Sequence, residues 1–170
     1  MTAPYFVDAN VIVYALDPRD PKKRRRAADW LDHLWKQGLG RTSAQVISES
    51  YSTLRRLKRD APAAEHWEEV EAYLAWNPQP INDGILIEAR AVEIRWRLSW
   101  WDSLVVAAAR MQGCAVLLTE DLQDGVVLGS VTVRSPFTLD LREPAAPYVA
   151  GPAVASLHRP RGRPRRAAPA

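Results

Sequence analysis

Residues 5–15 read YFVDANVIVYA, and this stretch decides how the rest of the chain is interpreted. The apolar run at 5–7 predicts a short buried strand that ends at Asp8. A helical pattern follows over 11–16 and stops before Pro18, since the residue before a proline disfavours helical geometry. Because a carboxylate at the end of a buried strand is costly to leave unpaired, Asp8 is a candidate functional residue.

Further along, short β-like runs alternate with longer helical patterns. Additional strands are predicted at 41–42, 115–118 and 131–133, and helices at 21–37, 63–76, 83–98 and 100–112. A further helix, the third in the chain, follows the strand at 41–42, with Val46, Ile47, Leu54 and Leu57 on its apolar face. Thr42 and Gln45 have the spacing of a capping box at the start of the third helix. The unbroken apolar run at 115–118 is typical of a central parallel strand covered on both faces. This alternation predicts a layered α/β domain with a mostly parallel sheet.

Length and composition limit the class of protein. The 170 residues are 47% hydrophobic, which supports one domain with a real core. A single cysteine excludes a disulfide framework and a cysteine-rich zinc site. No apolar run approaches the roughly 18 residues of a membrane helix, and no basic segment precedes the first apolar run. We therefore expect a cytoplasmic protein without a membrane partner.

The net charge of +3 is distributed unevenly. Residues 1–143 hold 18 basic and 20 acidic residues, a net charge of −2, and are predicted to form the domain. Residues 144–170 hold five arginines, no acidic residue and six of the 13 prolines, so a disordered basic tail is predicted. Within it Arg161, Gly162, Arg163 and Pro164 are similar to an AT-hook, which binds the minor groove of A·T-rich DNA. A generic basic tail is the alternative that we favour.

Four acidic residues lie just after predicted strands or near the starts of predicted helices, where open parallel sheets place their active sites. They are Asp8, Glu49, Asp102 and Asp121. Clustered carboxylates without a nearby histidine or cysteine suit Mg²⁺ or Mn²⁺, and therefore phosphoryl transfer or phosphodiester hydrolysis. The structural alternatives are an N-cap for Asp8 or Asn10, a capping box with Ser99 for Asp102, a turn for Asp121 and a solvated helix position for Glu49.

Four segments also resemble, in order, the motifs of PIN-domain ribonucleases. They are FVDANVIVYA at 6–15, SAQVISE at 43–49, SWWDSLVVAAA at 99–109 and LLTEDL at 117–122. The resemblance spans about residues 4–140 and implies a PIN-like three-layer α/β/α domain. The short length and the sequence TEDLQDG are similar to the VapC-type toxins of bacterial toxin–antitoxin pairs.

The resemblance assigns roles to particular residues. It implies that Asp8, Glu49, Asp102 and Asp121 are the catalytic, metal-binding quartet, with Asn10 and Thr119 orienting the carboxylates. Asp124 is a further candidate ligand, although a role in shaping its loop is favoured. The implied activity is a Mg²⁺- or Mn²⁺-dependent endoribonuclease that leaves a 3′-hydroxyl and a 5′-phosphate. The implied partners are the RNA substrate, a cognate antitoxin protein and a second copy of the chain.

Two basic clusters are candidates for contact with RNA phosphates, although a solvated helix face is the default interpretation. They are Lys22, Lys23, Arg24, Arg25 and Arg26, and then Arg55, Arg56 and Arg59. The seven tryptophans fall mostly at helical spacing and are interpreted as core or interface residues. Trp67 and Trp76 are candidates for a dimer or antitoxin groove.

Three other functions remain as alternatives or are excluded. A PIN nuclease that processes RNA without a toxin role shares the same four motifs. A nucleic-acid-binding regulator would act through the AT-hook-like tail. A haloacid-dehalogenase-like phosphatase would need a second aspartate at Asn10 and a threonine at Ile12, so the residues exclude it.

Overall fold

The computed structural model describes residues 3–141, and within that range six α-helices surround a five-stranded sheet. The strands are β1 Tyr5–Val7, β2 Gly40–Arg41, β3 Val116–Leu118, β4 Val127–Leu128 and β5 Val131–Arg134. The helices are α1 Ala9–Leu16, α2 Pro21–Gln37, α3 Ala44–Leu57, α4 Ala63–Glu71, α5 Asp83–Trp96 and α6 Trp100–Met111. A 3-10 helix, Ala72–Trp76, continues α4.

The sheet has the order β2-β1-β3-β5-β4, and only the edge strand β4 is antiparallel to its neighbour. The predicted mostly parallel α/β/α architecture is thus confirmed. Val7 lies opposite Leu118, and Leu118 lies opposite Arg134, so β1, β3 and β5 end at the same edge. That shared edge is where the residues that follow β1 and β3 meet.

Strand β4 was not predicted from the sequence. It spans two residues, too few for a detectable alternation, and a two-residue turn at Gly129 and Ser130 joins it to β5. Gly129 has a φ of +72°, which a glycine adopts without strain at the first central position of such a turn. The turn pair is the signal that could have indicated the hairpin.

Helix α6 packs deep in the molecule because its side chains are small. Every residue from 102 to 109 is buried, and the run includes three consecutive alanines at 107–109. The helix contacts β3, β5 and α5. A helix that is buried on all sides tolerates few charged groups, so a carboxylate in its first turn requires hydrogen-bonding partners.

The helix ends show standard capping interactions, and one predicted cap is corrected. Pro21 begins α2 and Gly38 ends it, as predicted. The structure adds that Asp20 caps the helix and that Gly38 lies in the left-handed region. The capping box predicted between Thr42 and Gln45 is wrong, because α3 begins one residue later and Ser43 caps it by accepting from the Val46 amide. Gln45 is thereby left to contact other groups.

The basic tail predicted at 144–170, with its AT-hook-like segment, lies outside the described residues. Within residues 3–141 no helix combines the length and the apolar character needed to cross a membrane.

Candidate active site

Asp8 lies directly after β1 and is both a helix cap and a buried carboxylate. Its Oδ1 accepts from the Ala9 amide (2.7 Å) at the start of α1. Its Oδ2 accepts from the Thr119 hydroxyl (2.8 Å) and from the Asn10 side-chain amide (3.4 Å). The side chain is only 2% exposed. One oxygen of Asp8 therefore caps α1, and the other is held by Thr119 and Asn10.

Thr119 connects the end of β3 to the end of β1. Its hydroxyl donates to Asp8 and accepts from Asn10 Nδ2 (2.9 Å) and from the Asp121 backbone amide (3.1 Å). One donor and two lone pairs are all that a hydroxyl offers, so Thr119 is saturated. The arrangement fixes the backbone of the loop that carries Asp121, whose side chain is exposed.

Asp102 occupies the first turn of α6 and is 3% exposed. Its backbone amide donates to Ser99 Oγ (3.1 Å), and that same hydroxyl donates to Asp102 Oδ2 (2.6 Å). Ser99 therefore caps the helix and binds the carboxylate. As with Asp8, a capping interaction places the side chain accurately rather than competing with a functional role.

Glu49 is half-buried on α3 and is bound by a glutamine one turn earlier. Gln45 Nε2 donates to Glu49 Oε1 (2.9 Å) and lies 3.4 Å from the backbone oxygen of Trp101. Gln45 is itself 5% exposed. The Gln45 amide therefore links Glu49 on α3 to the backbone of Trp101, which directly precedes Asp102 in the first turn of α6.

The side chains at this edge of the sheet offer carboxylate, amide and hydroxyl oxygens. Oxygen ligands of this kind are the ones that a hard divalent cation prefers. In addition, Asn10 Oδ1 is buried and has no hydrogen-bond partner among the described residues. Within residues 3–141, however, no three His, Cys, Asp or Glu side chains form a group that could hold a metal ion. Hydrogen bonds around Thr119 join Asp8 to the backbone of Asp121, and hydrogen bonds around Gln45 join Glu49 to the backbone of Trp101.

Asp124 serves its loop in this structure. Its carboxylate accepts from Arg134 Nε (3.1 Å), the Ser135 amide (2.9 Å) and the Thr138 hydroxyl (3.1 Å). These contacts tie the loop before β4 to the segment after β5. This is the arrangement that the loop-shaping interpretation of Asp124 describes.

The family of the chain follows from comparison with known proteins. The sequence profile described as PIN domain matches residues 5–123, which is more than half of the chain. The chain belongs to the PIN-domain family. Membership identifies this PIN domain as a nuclease of the hydrolase class.

Two solved structures share the PIN fold. VapC20 of Mycobacterium tuberculosis, described as a sarcin-ricin loop cleaving toxin, is 19% identical, covers 66% of this chain and 86% of its own, and has a TM-score of 0.52. A chain of FitAcB from Neisseria gonorrhoeae is 21% identical, covers 79% of this chain and 99% of its own, and has a TM-score of 0.61. At these identities the likeness establishes the fold. No curated protein sequence matches the chain.

The basic run at 22–26 in α2 of the PIN domain contains residues that face inward and residues that are exposed. Lys23 Nζ lies 2.5 Å from Glu120 Oε2 and 3.2 Å from the Tyr14 hydroxyl. It also lies 4.4 Å from the centre of the Tyr14 ring and 4.9 Å from that of Phe137. Burial disfavours the ammonium charge, but the hydrogen bonds to Glu120 and Tyr14 outweigh it and raise the pKa of Lys23. Lys23 thus anchors the loop between Thr119 and Asp121.

Arg26 also faces inward, since its guanidinium donates to the backbone oxygens of Pro136 and Leu139. Lys22, Arg24 and Arg25 are exposed. The contact of Lys23 with Glu120 shows that this end of α2 lies beside the Asp121 loop. The three exposed residues are therefore the members of the run that are available to a substrate.

The second basic cluster lies at the end of α3 and is exposed. Arg55 lies over the Tyr51 ring (5.8 Å), Arg56 contacts Thr53 (3.4 Å) and Arg59 contacts the Arg56 backbone (3.3 Å). Arg56 follows Glu49 by seven residues, so the two share a face of the helix about 10 Å apart along its axis. These are short-range contacts that leave the charges accessible to solvent.

Two residues of the site were not predicted from the sequence. Gln45 was interpreted as a cap, and its four-residue spacing from Glu49 on a helix is the signal that could have indicated their contact. Trp101 was interpreted with the other tryptophans as a core or interface residue, and it is 54% exposed. By contrast, Trp76, a candidate for a surface groove, is buried against Trp35 and Tyr73.

Proposed function

We propose that this PIN domain is a Mg²⁺- or Mn²⁺-dependent endoribonuclease that acts as the toxin of a toxin–antitoxin pair. The observation that carries the proposal is the hydrogen-bond network at the ends of β1 and β3 of a PIN-type sheet, in which Thr119 joins the buried Asp8 carboxylate to the loop that carries Asp121. The neighbouring VapC20 is described as a toxin that cleaves the sarcin-ricin loop, which supports RNA as the substrate class.

The four carboxylates would hold the cation, and a divalent ion there would supply positive charge to stabilise the transition state of phosphodiester hydrolysis. The protein's own residues prepare the site. Thr119 and Asn10 hold one oxygen of Asp8, and Ser99 holds one oxygen of Asp102. Fixed orientation of this kind lowers the reorganisation that is needed during the reaction. The products would be a 3′-hydroxyl and a 5′-phosphate.

Asp8→Asn tests this proposal. Asparagine is a good N-cap and preserves the shape of the side chain, so the fold should survive while the charge is lost. We expect RNA cleavage to fall by more than about 100-fold and the metal-induced rise in the thermal midpoint to disappear. Cleavage is measured on total RNA and stability by circular dichroism, with Mn²⁺ and with a chelator.

Glu65→Gln is the matched control, because Glu65 is an exposed carboxylate in the first turn of α4. It makes the same chemical change away from the site and should leave cleavage and the metal response unchanged. If Asp8→Asn cleaves RNA as well as the wild-type chain does, the assignment of the quartet is wrong.

The toxin role and the partners need a separate test. The description of VapC20 as a toxin supports the toxin role. An antitoxin protein and a second copy of the chain are proposed as partners. Expression of the chain should arrest growth, and co-expression of a small protein encoded directly upstream should restore it. Growth without arrest, together with intact cleavage, would favour a PIN nuclease that processes RNA.

A further inference from the structure

Trp101 presents a large aromatic surface at the rim of the candidate site. It is the second residue of α6 and immediately precedes Asp102, which is buried. The two neighbours point in different directions, because successive side chains on a helix are rotated by about 100°. Asp102 faces the interior, whereas 54% of Trp101 is exposed.

None of the other six tryptophans is as exposed, and all seven lie within the described residues. Trp30 and Trp76 are buried, and Trp96 and Trp100 pack against the core. The two other exposed tryptophans have aromatic neighbours. Trp35 packs on Trp76 (4.9 Å between ring centres), and Trp67 lies edge-on to Tyr51 (5.7 Å). Among residues 3–141 no aromatic or cationic group contacts the Trp101 ring.

The backbone of Trp101 is tied to the site. Gln45 Nε2 lies 3.4 Å from the Trp101 carbonyl oxygen and donates to Glu49 (2.9 Å). The capping bonds of Ser99 to Asp102 hold the next residue. The backbone of Trp101 is therefore held directly before Asp102 and within reach of Gln45, the partner of Glu49. A rigid aromatic group is ordered at lower entropic cost than a flexible side chain.

We propose that Trp101 stacks on an unpaired base of the RNA next to the phosphodiester bond that is cleaved. The inference rests on the proposed nuclease function and adds to it the state of the substrate, which must be single-stranded at that nucleotide. Every base has an aromatic face, so one indole can accept any base, whereas a base inside a duplex is already stacked on its neighbours. The cut is thereby directed to loops and unpaired ends.

Binding to the full-length Asp8→Asn chain tests this proposal without cleavage. The probe is a fluorescein-labelled single-stranded RNA of about 12 nucleotides, compared with the same strand in a duplex, by fluorescence anisotropy. Trp101→Ala should weaken binding of the single strand by about 5- to 100-fold. Trp101→Phe should restore most of the affinity, because it retains an aromatic face. Binding of the duplex should change by less than about twofold.

Ile87→Ala is the control, because it removes an exposed large apolar side chain from α5, where no candidate site residue lies. It should change the affinity for the single strand by less than about twofold. RNA probes that lack one base at a known position locate the stacked base. Removal of that base should weaken binding to the Asp8→Asn chain. The same removal should not change binding to the chain that carries both Asp8→Asn and Trp101→Ala.

Three results would overturn stacking by Trp101. These are unchanged single-strand binding by Trp101→Ala, an equal loss of duplex binding, or no recovery in Trp101→Phe. The proposed function fails differently, through absence of metal-dependent cleavage by the wild-type chain. If the wild-type chain cleaves no RNA but Trp101→Ala still weakens single-strand binding, the stacking proposal stands and the proposed nuclease function is wrong.

Discussion

The Thr119 hydroxyl has more influence on the site than its size indicates. It is buried, and it satisfies three groups at once: the Asp8 carboxylate, the Asn10 amide and the Asp121 backbone amide. Thr119→Val keeps the shape and removes all three bonds. Because buried polar groups then lose their partner, we expect a loss of about 1–3 kcal/mol in the free energy of unfolding, measured by urea denaturation.

Thr119→Ser separates the hydroxyl from the methyl group. It should recover most of the stability and, under the proposed function, most of the cleavage, whereas Thr119→Val should lower cleavage by about 10- to 100-fold. If Thr119→Val is as stable as the wild-type chain, the hydroxyl does not hold these two strand ends together.

Cys114 provides a prediction about pH. Burial raises the pKa of its thiol to about 12, and Arg41 opposes that shift only in part. An unfolded thiol titrates near pH ~8.5, so above that value the unfolded state loses a proton that the native state retains. The stability that Cys114 contributes is therefore complete below pH ~8.5 and is lost as the pH rises towards 12.

The comparison that isolates this effect is the wild-type chain against Cys114→Ala. The stability of the wild type relative to the variant should fall between about pH 8.5 and 10.5, by at most about 1.4 kcal/mol per pH unit. Denaturation at several pH values measures the difference, and all other ionisable side chains are common to both chains. A difference that is independent of pH would contradict the shift.

At the scale of the elements, one glycine decides how the 3-10 helix reaches the sheet. A Cβ placed on Gly40 in β2 would collide with the ring of Trp76. That ring is buried between Trp35 and Tyr73. Gly40→Ala should therefore displace the aromatic cluster and cost about 1–3 kcal/mol in unfolding free energy, measured by urea denaturation.

Gly84→Ala in α5 is the matched control. Its nearest neighbours would lie 3.4 and 3.7 Å from the new Cβ, which is ordinary contact, and alanine is the better helix former. It should be neutral or stabilising by up to about 1 kcal/mol. Equal effects of the two substitutions would show that Trp76 does not depend on the close approach to Gly40.

The same elements show what the sequence could predict. Helix α2 was predicted to the residue because Pro21 and Gly38 mark its ends. The register of α3 was shifted by one residue, because Thr42 and Ser43 are both good caps and only packing selects between them. That single residue determines whether Gln45 caps the helix or binds Glu49.

The sequence indicates where the candidate residues lie relative to the strands, but it does not indicate their side-chain contacts. Asp8 and Asp121 follow recognisable strands, whose parallel pairing brings their ends together. Contacts such as Gln45 with the Trp101 carbonyl join residues 56 positions apart. No local pattern encodes that contact, because it depends on how α3 and α6 pack.

The net charge of the protein is divided between two parts of the chain. Residues 1–143 have a net charge of −2, although exposed lysine and arginine residues lie beside the candidate site. The five arginines after residue 143 supply the whole positive surplus. Phosphate contacts release counterions, so each part should have its own signature in the salt dependence of RNA binding.

Removal of residues 144–170 tests this division. The last packed residues described, Leu139 and Leu141, are retained, so the thermal midpoint and RNA cleavage at low salt should stay close to those of the full chain. If the five arginines contact phosphates, the slope of log affinity against log salt should become shallower by up to about 3.5 for single-stranded RNA. Lys22→Ala in the truncated chain should reduce the slope further by about 0.7, whereas exchange of the exposed Glu65 for glutamine should not. An unchanged slope after truncation would place all phosphate contacts on the PIN domain, and loss of cleavage would show that the tail belongs to the active site.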